Sequence, residues 1–446
     1  MSDRETWATR VGFIIAAIGS AVGLGNIWQF PFKTATNGGA IFLVVYLAAV
    51  FAIGFPAMLA EFVLGRRTHL NAIDAFDQLG HREWRVVGAL SLVTGFWILS
   101  YYNVVGGWVI RYVIGSVRGA YFGDPAGYFG AVSAGPEAIV AHAVFLLIVI
   151  GIVALGVENG IEKATKVMVP SIVVIMIALG VWAATLPGAA EGYAYFLDPD
   201  FSVLLANASD IVPFAVGQAF FTLSLGMGIM ITYSSYIGED DNLPIDGGTI
   251  VVVNTLIGVL AGLVVFPILF SIGVSPDTSG PAAIFVAMAS AFAQLPAGRI
   301  LGAGFFLVVL IAALSSAISL LEVTVAYFVD NRGMDRVKLS AAVGVALFVL
   351  GLPSAWDTAW LGWFDTLAYK LLLPLAVLFL LLFVGWVLAD RALEELATGA
   401  GGGLPLFGPF WLWMVRTLVI AGVLVTLALG IETLFLAPEP AIVPPL

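Results

Sequence analysis

Eleven stretches of this 446-residue chain are apolar for long enough to cross a lipid bilayer, and that property decides the class of fold. A spanning helix needs about 20 mostly apolar residues. Runs of this kind lie near 11–36, 40–65, 86–117, 138–156, 164–186, 209–237, 247–274, 299–329, 338–353, 364–389 and 409–436, the ninth being the shortest. Period-two alternation is absent, which argues against a β-barrel. Charged residues make up 11% of the chain, less than half the roughly 25% of ordinary soluble domains. A soluble chain of this composition would have to bury nearly every residue, which surface-to-volume scaling forbids. The expectation is an all-α polytopic protein embedded in the bilayer. The absence of cysteine excludes disulfides and cysteine metal sites, and the three histidines (His69, His81, His142) are too scattered for a metal cluster. A net charge of −11 argues against a nucleic-acid partner.

Orientation follows from the basic residues of the loops. With the N-terminus inside, twelve of the 18 Lys and Arg fall on the cytoplasmic side and only Arg118 and Arg299 fall clearly outside. The N-terminus is therefore expected in the cytoplasm, the C-terminus outside, and the protein in the plasma membrane. The first apolar run opens a span too long and too glycine-rich for a signal's hydrophobic region, so no cleavable signal is expected.

Two of the runs carry the same flaw. Span 1 contains Gly19-Ser-Ala-Val-Gly-Leu-Gly-Asn26, and span 6 contains Thr222-Leu-Ser-Leu-Gly-Met-Gly228. Glycine costs about 1 kcal/mol in a helix interior, and polar residues at mid-depth are costly unless used. Taken singly, either segment is compatible with close packing of small residues between helices. As a pair they occupy corresponding places in two five-span halves, 1–5 and 6–10, which an odd span number sets in opposite topology. Interrupted helices at matching positions of inverted halves point to the midplane site of a secondary transporter. A broken backbone frees carbonyls for a cation and offers amides to an anion.

These residues carry a resemblance. The chain resembles members of the neurotransmitter:sodium symporter family over essentially its whole length, most specifically in Gly23-Leu-Gly-Asn-Ile-Trp-Gln-Phe-Pro31, Asn37-Gly-Gly39, Glu61, Gly217-Gln-Ala-Phe-Phe-Thr-Leu-Ser-Leu-Gly226 and Leu314-Ser-Ser-Ala-Ile-Ser319. The resemblance implies the leucine-transporter (LeuT) fold, with repeats at 1–190 and 191–398 followed by span 11 and a tail at 399–446. It implies one sodium site of Ala21, Asn26, Thr222 and Asn254 with a substrate carboxylate oxygen, and a second of Gly19, Val22, Ala312, Ser315 and Ser316. Backbone carbonyls, hydroxyls and amide oxygens are hard neutral ligands, suited to an alkali ion that must leave again. The substrate is implied to lie among Ala21, Gly23, Leu24, Gly25, Ile98, Ser100, Tyr102, Phe221, Thr222, Ser224, Met227, Ser316 and Leu320. Amine-transporting relatives carry an aspartate where this chain has Gly23, so the substrate here is expected to bring its own acid. A mid-sized apolar amino acid fits that wall best; a β- or sulfonic amino acid or an osmolyte zwitterion is the alternative.

The gates follow by the same resemblance. Arg4 and Trp7 before span 1, Asp330 at the end of span 8, and Ser235 and Tyr236 are implied to close the cytoplasmic exit. The outer gate departs from the family: its arginine position is Gln29, facing Asp365. Glutamine cannot neutralise a carboxylate, so a hydrogen-bonded or water-bridged latch is expected. A second departure lies in span 7, where the acidic residue of chloride-independent relatives is replaced by Gly258 and 247–274 holds no acid. Chloride dependence is expected on that ground, with Tyr46, Gln218, Thr222 and Asn254 as the anion's neighbours; a carboxylate elsewhere, Glu61 first, is the competing source of charge. Gly160-x9-Pro170 matches a family motif for local unwinding of span 5. Glu322 is expected to make a structural hydrogen bond, with no partner named. The segment 276–297 reads as an outer lid. Sodium-driven symport without covalent chemistry is the expected function; an ion channel or a non-transporting receptor on the same fold is the rival.

Overall fold

A computed structural model describes residues 6–238, 240–273, 282–399, 406–437 and 441–445. Among these residues there is no strand. Ten helices are long and apolar enough to span a membrane, and one bent pair makes an eleventh. Span 1 is Arg10–Ala21 and Gly25–Thr36, meeting at 45°. Spans 2 to 5 are Ala40–Thr68, Arg82–Arg118, Pro136–Val153 and Val157–Ala183. Span 6 is Phe201–Thr222, continued after a break by the short helix Ile229–Ser234. Spans 7 to 11 are Leu243–Ser271, Gly298–Asn331, Arg336–Trp356, Thr358–Val387 and Phe407–Leu436.

The order and number agree with the apolar runs, and the differences have local causes. Span 6 begins at Phe201, eight residues before its expected start, because Asp200 caps it through the Ser202 N–H (2.8 Å). The chain kinks at Asn207 (φ −130°, ψ 26°), so the apolar run from 209 matches the part of the span beyond the kink and the capped segment before it adds the extra residues. Span 9, expected short, runs 21 residues. Asp335 caps it by accepting from Lys338 N (2.9 Å), so the charged first turn belongs to the helix although it adds nothing to the apolar run.

The outward faces show what surrounds the bundle. Val167, Val174 and Val181 recur every seven residues on span 5 and are 69%, 65% and 67% exposed. Val140, Val144 and Leu147 repeat the pattern on span 4. Apolar stripes of this extent are unfavourable in water and suit lipid tails. The inward faces hold the polar residues, among them Asn26, Glu61, Asn254 and Glu322, which are buried at the centre. The polar residues thus gather inside the bundle, away from the apolar rim.

Candidate functional site

Both interrupted segments are broken, each by a different device. In span 1 the helix ends at Ala21, and Val22 adopts an extended backbone (φ −82°, ψ 92°). In span 6 the residues between Thr222 and Ile229 leave the helix, with Ser224, Gly226 and Gly228 at φ 55°, 75° and 74°. Ser224 is held in this left-handed conformation by a hydrogen bond from its hydroxyl to the Ser20 carbonyl (3.1 Å), which ties one break to the other. Gly226 is required twice over: its φ is positive, and a Cβ there would lie 2.8 Å from Val377 and 2.9 Å from the Leu373 carbonyl. Its N–H donates to Glu61 Oε1 (2.7 Å), so a buried carboxylate from span 2 holds the unwound backbone.

A small cavity of about 20 Å³ lies between the breaks, lined by Ser20, Ala21, Gly23, Gly25, Ile98, Tyr102, Phe221, Ser224, Met227, Ile229, Ser316 and Leu320. Ten of these are predicted substrate residues; Ser20 and Ile229 were not, although a serine in the last turn before a helix break was the available signal. Ser100 does not join them. Ile98 and Tyr102 are four residues apart and share a helix face, whereas the residue midway between them points away. Ser100 accordingly donates its hydroxyl to the Trp97 carbonyl (2.7 Å) and packs its backbone against Gly351 of span 9. Leu24 lines a second cavity just outside, and its N–H donates to the Tyr102 hydroxyl oxygen (3.1 Å). Gly23 has no room for a side chain: a Cβ would lie 2.2 Å from Ser316 Oγ and 2.9 Å from Tyr102 Oη. A cavity of about 800 Å³ between spans 6, 10 and 11 borders neither break.

Two oxygen clusters flank the small cavity. In the first, Thr222 Oγ1 donates to Asn26 Oδ1 (3.1 Å), and Asn26 Nδ2 donates to Asn254 Oδ1 (2.9 Å), all three residues being buried. In the second, Ser315 Oγ lies 2.6 Å from the Gly19 carbonyl oxygen, 3.0 Å from that of Ala312 and 3.3 Å from that of Val22. One hydroxyl hydrogen can serve only one of three acceptors well, which leaves a surplus of neutral oxygens of the kind an alkali cation takes. Ser316 stands apart from this cluster, its hydroxyl donating to the Ser20 carbonyl (2.8 Å) on the cavity side. Of the predicted anion neighbours, Tyr46 and Thr222 face each other through their hydroxyls, and Asn254 Nδ2 donates to Thr222 Oγ1 (3.2 Å). Gln218 spends its Nε2 on the Gly25 carbonyl (2.9 Å).

The two ends of the path differ. At the end expected to be cytoplasmic Trp7 is buried, its indole N–H donating to the Tyr233 carbonyl (2.9 Å) and its ring lying edge-on to Tyr233 and Tyr236. Arg4 lies outside the described residues, while Asp330 accepts from Asn71 Nδ2 (3.5 Å). Ser235 donates to its own helix at Thr232 (2.6 Å). Tyr236 donates to Glu322 Oε1 (3.0 Å), and Arg336 meets both oxygens of that carboxylate, at 2.6 and 3.0 Å. Glu322 therefore makes the expected structural hydrogen bond, and it is also paired with Arg336. Its partner could not be found from sequence because it lies beyond the next loop, at the start of span 9.

At the opposite end Asp365 accepts from the Tyr101 hydroxyl (3.0 Å), and among the described residues Gln29 makes no direct hydrogen bond to it. Both line a cavity of about 40 Å³, enough for a bridging water. Of the segment expected to form a lid, the described residues include the helix Ala282–Gln294, whose Phe285 ring stands 6.0 Å from the Trp28 ring of span 1; 274–281 lie outside the described residues.

The chain matches the sodium:neurotransmitter symporter family over residues 4–121 and 135–437. It is 35% identical to the sodium-dependent transporter YhdH of Bacillus subtilis across 95% of its own length and 98% of that protein's. The chain belongs to the sodium:neurotransmitter symporter family. A second sodium-dependent transporter of that kind, MJ1319 of Methanocaldococcus jannaschii, is 37% identical over 88% of this chain and 84% of the relative. Among solved structures, MhsT in complex with L-phenylalanine superposes with a TM-score of 0.87 at 38% identity, covering 96% of this chain and 99% of MhsT. The fold is thus the LeuT fold, and the broken spans are the first members of its two halves. The family consists of transporters, which agrees with the absence of an expected enzymatic role.

Proposed function

We propose that this sodium-dependent family member is a symporter that imports a zwitterionic amino acid, mid-sized and apolar, by alternating access. One observation carries the substrate class. At Gly23 the Ser316 and Tyr102 side chains leave no space for a side chain, so no carboxylate of the protein stands there for a missing substrate acid. The substrate's own carboxylate would take the Leu24 N–H from Tyr102 and complete the Asn26–Thr222–Asn254 cluster as the first sodium site. Its ammonium would meet the Ala21, Phe221 and Thr222 carbonyls and the Ser224 hydroxyl. Ile98, Phe221, Met227 and Leu320 form the apolar wall, and the L-phenylalanine complex of MhsT supports an apolar or aromatic side chain against it. The cavity of about 20 Å³ is too small for such a ligand, so Phe221 and Met227 must give way on binding. Methionine is suited to that repacking.

The second sodium site is assigned to Gly19, Val22, Ala312 and Ser315, with Ser316 turning in from the cavity side. Two sodium ions in a low-dielectric centre call for compensating charge. Chloride beside Tyr46, Gln218, Thr222 and Asn254 supplies it in this reading, and the Gln218 amide must then turn its N–H groups inward. Spans 1, 2, 6 and 7 rock against the rest, Trp7 closes the inner exit, and the water-sized cavity between Gln29 and Asp365 serves as a weak outer latch. The N-terminus is cytoplasmic, and the repeats divide near 190 and 398. Purified protein in proteoliposomes tests the reading. A sodium gradient should drive accumulation of labelled apolar amino acids above equilibrium, and replacing chloride by gluconate should abolish it. Equilibration without accumulation would favour a channel, and binding without flux a receptor.

A further inference from the structure

The inner half of span 1 is held by a carboxylate that belongs to neither oxygen cluster. Thr9 caps the helix, its hydroxyl accepting the Gly12 N–H at 3.0 Å. Across from it, span 5 opens with a wide turn, Val157–Glu162. The Glu162 side chain reaches from this turn to span 1. Its Oε2 accepts the Ala8 N–H at 2.8 Å, and its Oε1 accepts the Thr9 hydroxyl at 3.2 Å. Lys166, one turn further along span 5, lies 2.6 Å from the same Oε1.

The fit around this carboxylate is close on every side. Glu162 is 2% exposed in its side chain, although Ala8 and Thr9 are exposed. Gly12 lies against it so tightly that a Cβ would stand 2.2 Å from Oε1 and 2.3 Å from Cδ. Negative charge at this end of span 1 also complements the helix dipole. The same turn is pressed from behind, since a Cβ on Gly160 would lie 2.1 Å from the Ile152 carbonyl. Three residues on, Thr165 is buried, its methyl 3.3 Å from where a Gly19 Cβ would stand. The segment from Val157 to Lys166 is therefore shaped around the inner half of span 1.

We propose that Glu162 is a positioning residue that clamps the inner half of span 1 to span 5, so that the cytoplasmic path opens only when its carboxylate lets go of Ala8 and Thr9. The proposal rests on the transport reading above and extends it: release of span 1 and relaxation of the wide turn are one event, because the same side chain belongs to both. Gly12 is the matching half of the clamp. Glu162 touches none of the residues assigned to substrate or sodium and acts on them only through span 1.

The chain has no cysteine, so a single introduced one reports without background. Thr165→Cys is buried between spans 1 and 5 and becomes reachable by a cytoplasmic, membrane-impermeant maleimide only when span 1 leaves. In this background labelling should slow when sodium replaces choline. Glu162→Ala should raise the labelling rate in either salt, by about tenfold or more for loss of the two charge-assisted hydrogen bonds to Ala8 and Thr9. Glu162→Gln, which keeps one acceptor, should raise it less. Gly12→Ala should act like Glu162→Ala by displacing the carboxylate, and the double variant should label no faster than either single one. Thermal unfolding of each purified variant establishes that it is folded, and Glu162→Gln stands in should either alanine variant not fold. Unchanged labelling in folded Glu162→Ala or Glu162→Gln protein, or independent multiplication of the Gly12 and Glu162 effects, would overturn the clamp. A parent rate indifferent to sodium would instead count against sodium-coupled closure, leaving the Glu162 comparison intact.

Discussion

Replacing Arg336 by glutamine should be far more damaging than replacing its partner Glu322 by glutamine, and the structure says why. The Glu322 side chain is fully buried, whereas Arg336 is 13% exposed in its side chain and also donates to the Val153 carbonyl (3.2 Å). Arg336→Gln strands a carboxylate in the bundle interior, with the Tyr236 hydroxyl beside it. Breaking a buried pair from one side costs about 3–5 kcal/mol. Glu322→Gln leaves a cation that keeps Val153 and can reach water, a loss on the order of 1–2 kcal/mol, comparable to one buried hydrogen bond. The double variant should therefore lie near Glu322→Gln rather than at the sum of the two. Unfolding of the three variants in mixed micelles, followed by tryptophan fluorescence, measures the cycle. If Glu322→Gln were the worse single variant, or if the two losses simply added, the ion pair would not be the feature that stabilises this corner.

Three further outcomes are expected. Ser315→Ala removes the hydroxyl that three carbonyls share, and sodium affinity should fall by about 10-fold or more, since a hydrogen bond to a charged group is worth about 1.5–3 kcal/mol; sodium titration by tryptophan fluorescence reads it. Gly258→Glu places a carboxylate beside the first oxygen cluster, because a Cβ at Gly258 stands 3.6 Å from Asn26 Nδ2. Uptake by that variant should proceed equally in sodium chloride and sodium gluconate. Gln29→Ala should speed labelling of a cysteine placed in the outer path and change uptake kinetics, whereas unchanged kinetics would remove Gln29 from the gate.

Much of this molecule could be read before its coordinates, for reasons that differ by element. Span number followed from apolar length, and the two breaks from glycines next to polar residues, because both signals are local in sequence. Gly226 could be suspected from that pattern, but its need for a positive φ and its contact with Val377 are tertiary facts. Ser100 does not line the central cavity, because it stands two residues from both Ile98 and Tyr102 and so on another face of span 3. The Glu322–Arg336 pair and the Glu162 clamp were not legible, since each joins residues from different elements with no shared sequence signal. The closed volume of the central cavity was equally out of reach, because Phe221 and Met227 set it by rotamer rather than by identity.

The account turns on one claim, that the two broken helices form a sodium-coupled site for an amino acid with its own carboxylate. Sodium-gradient uptake into proteoliposomes by the parent protein and by Gly23→Asp measures it directly. The parent should accumulate an apolar amino acid above equilibrium only with sodium outside in excess. Gly23→Asp should lose that uptake, since its carboxylate would crowd Ser316 and Tyr102 and oppose the substrate's. Accumulation that persists without a sodium gradient, or undiminished uptake by Gly23→Asp, would contradict the account.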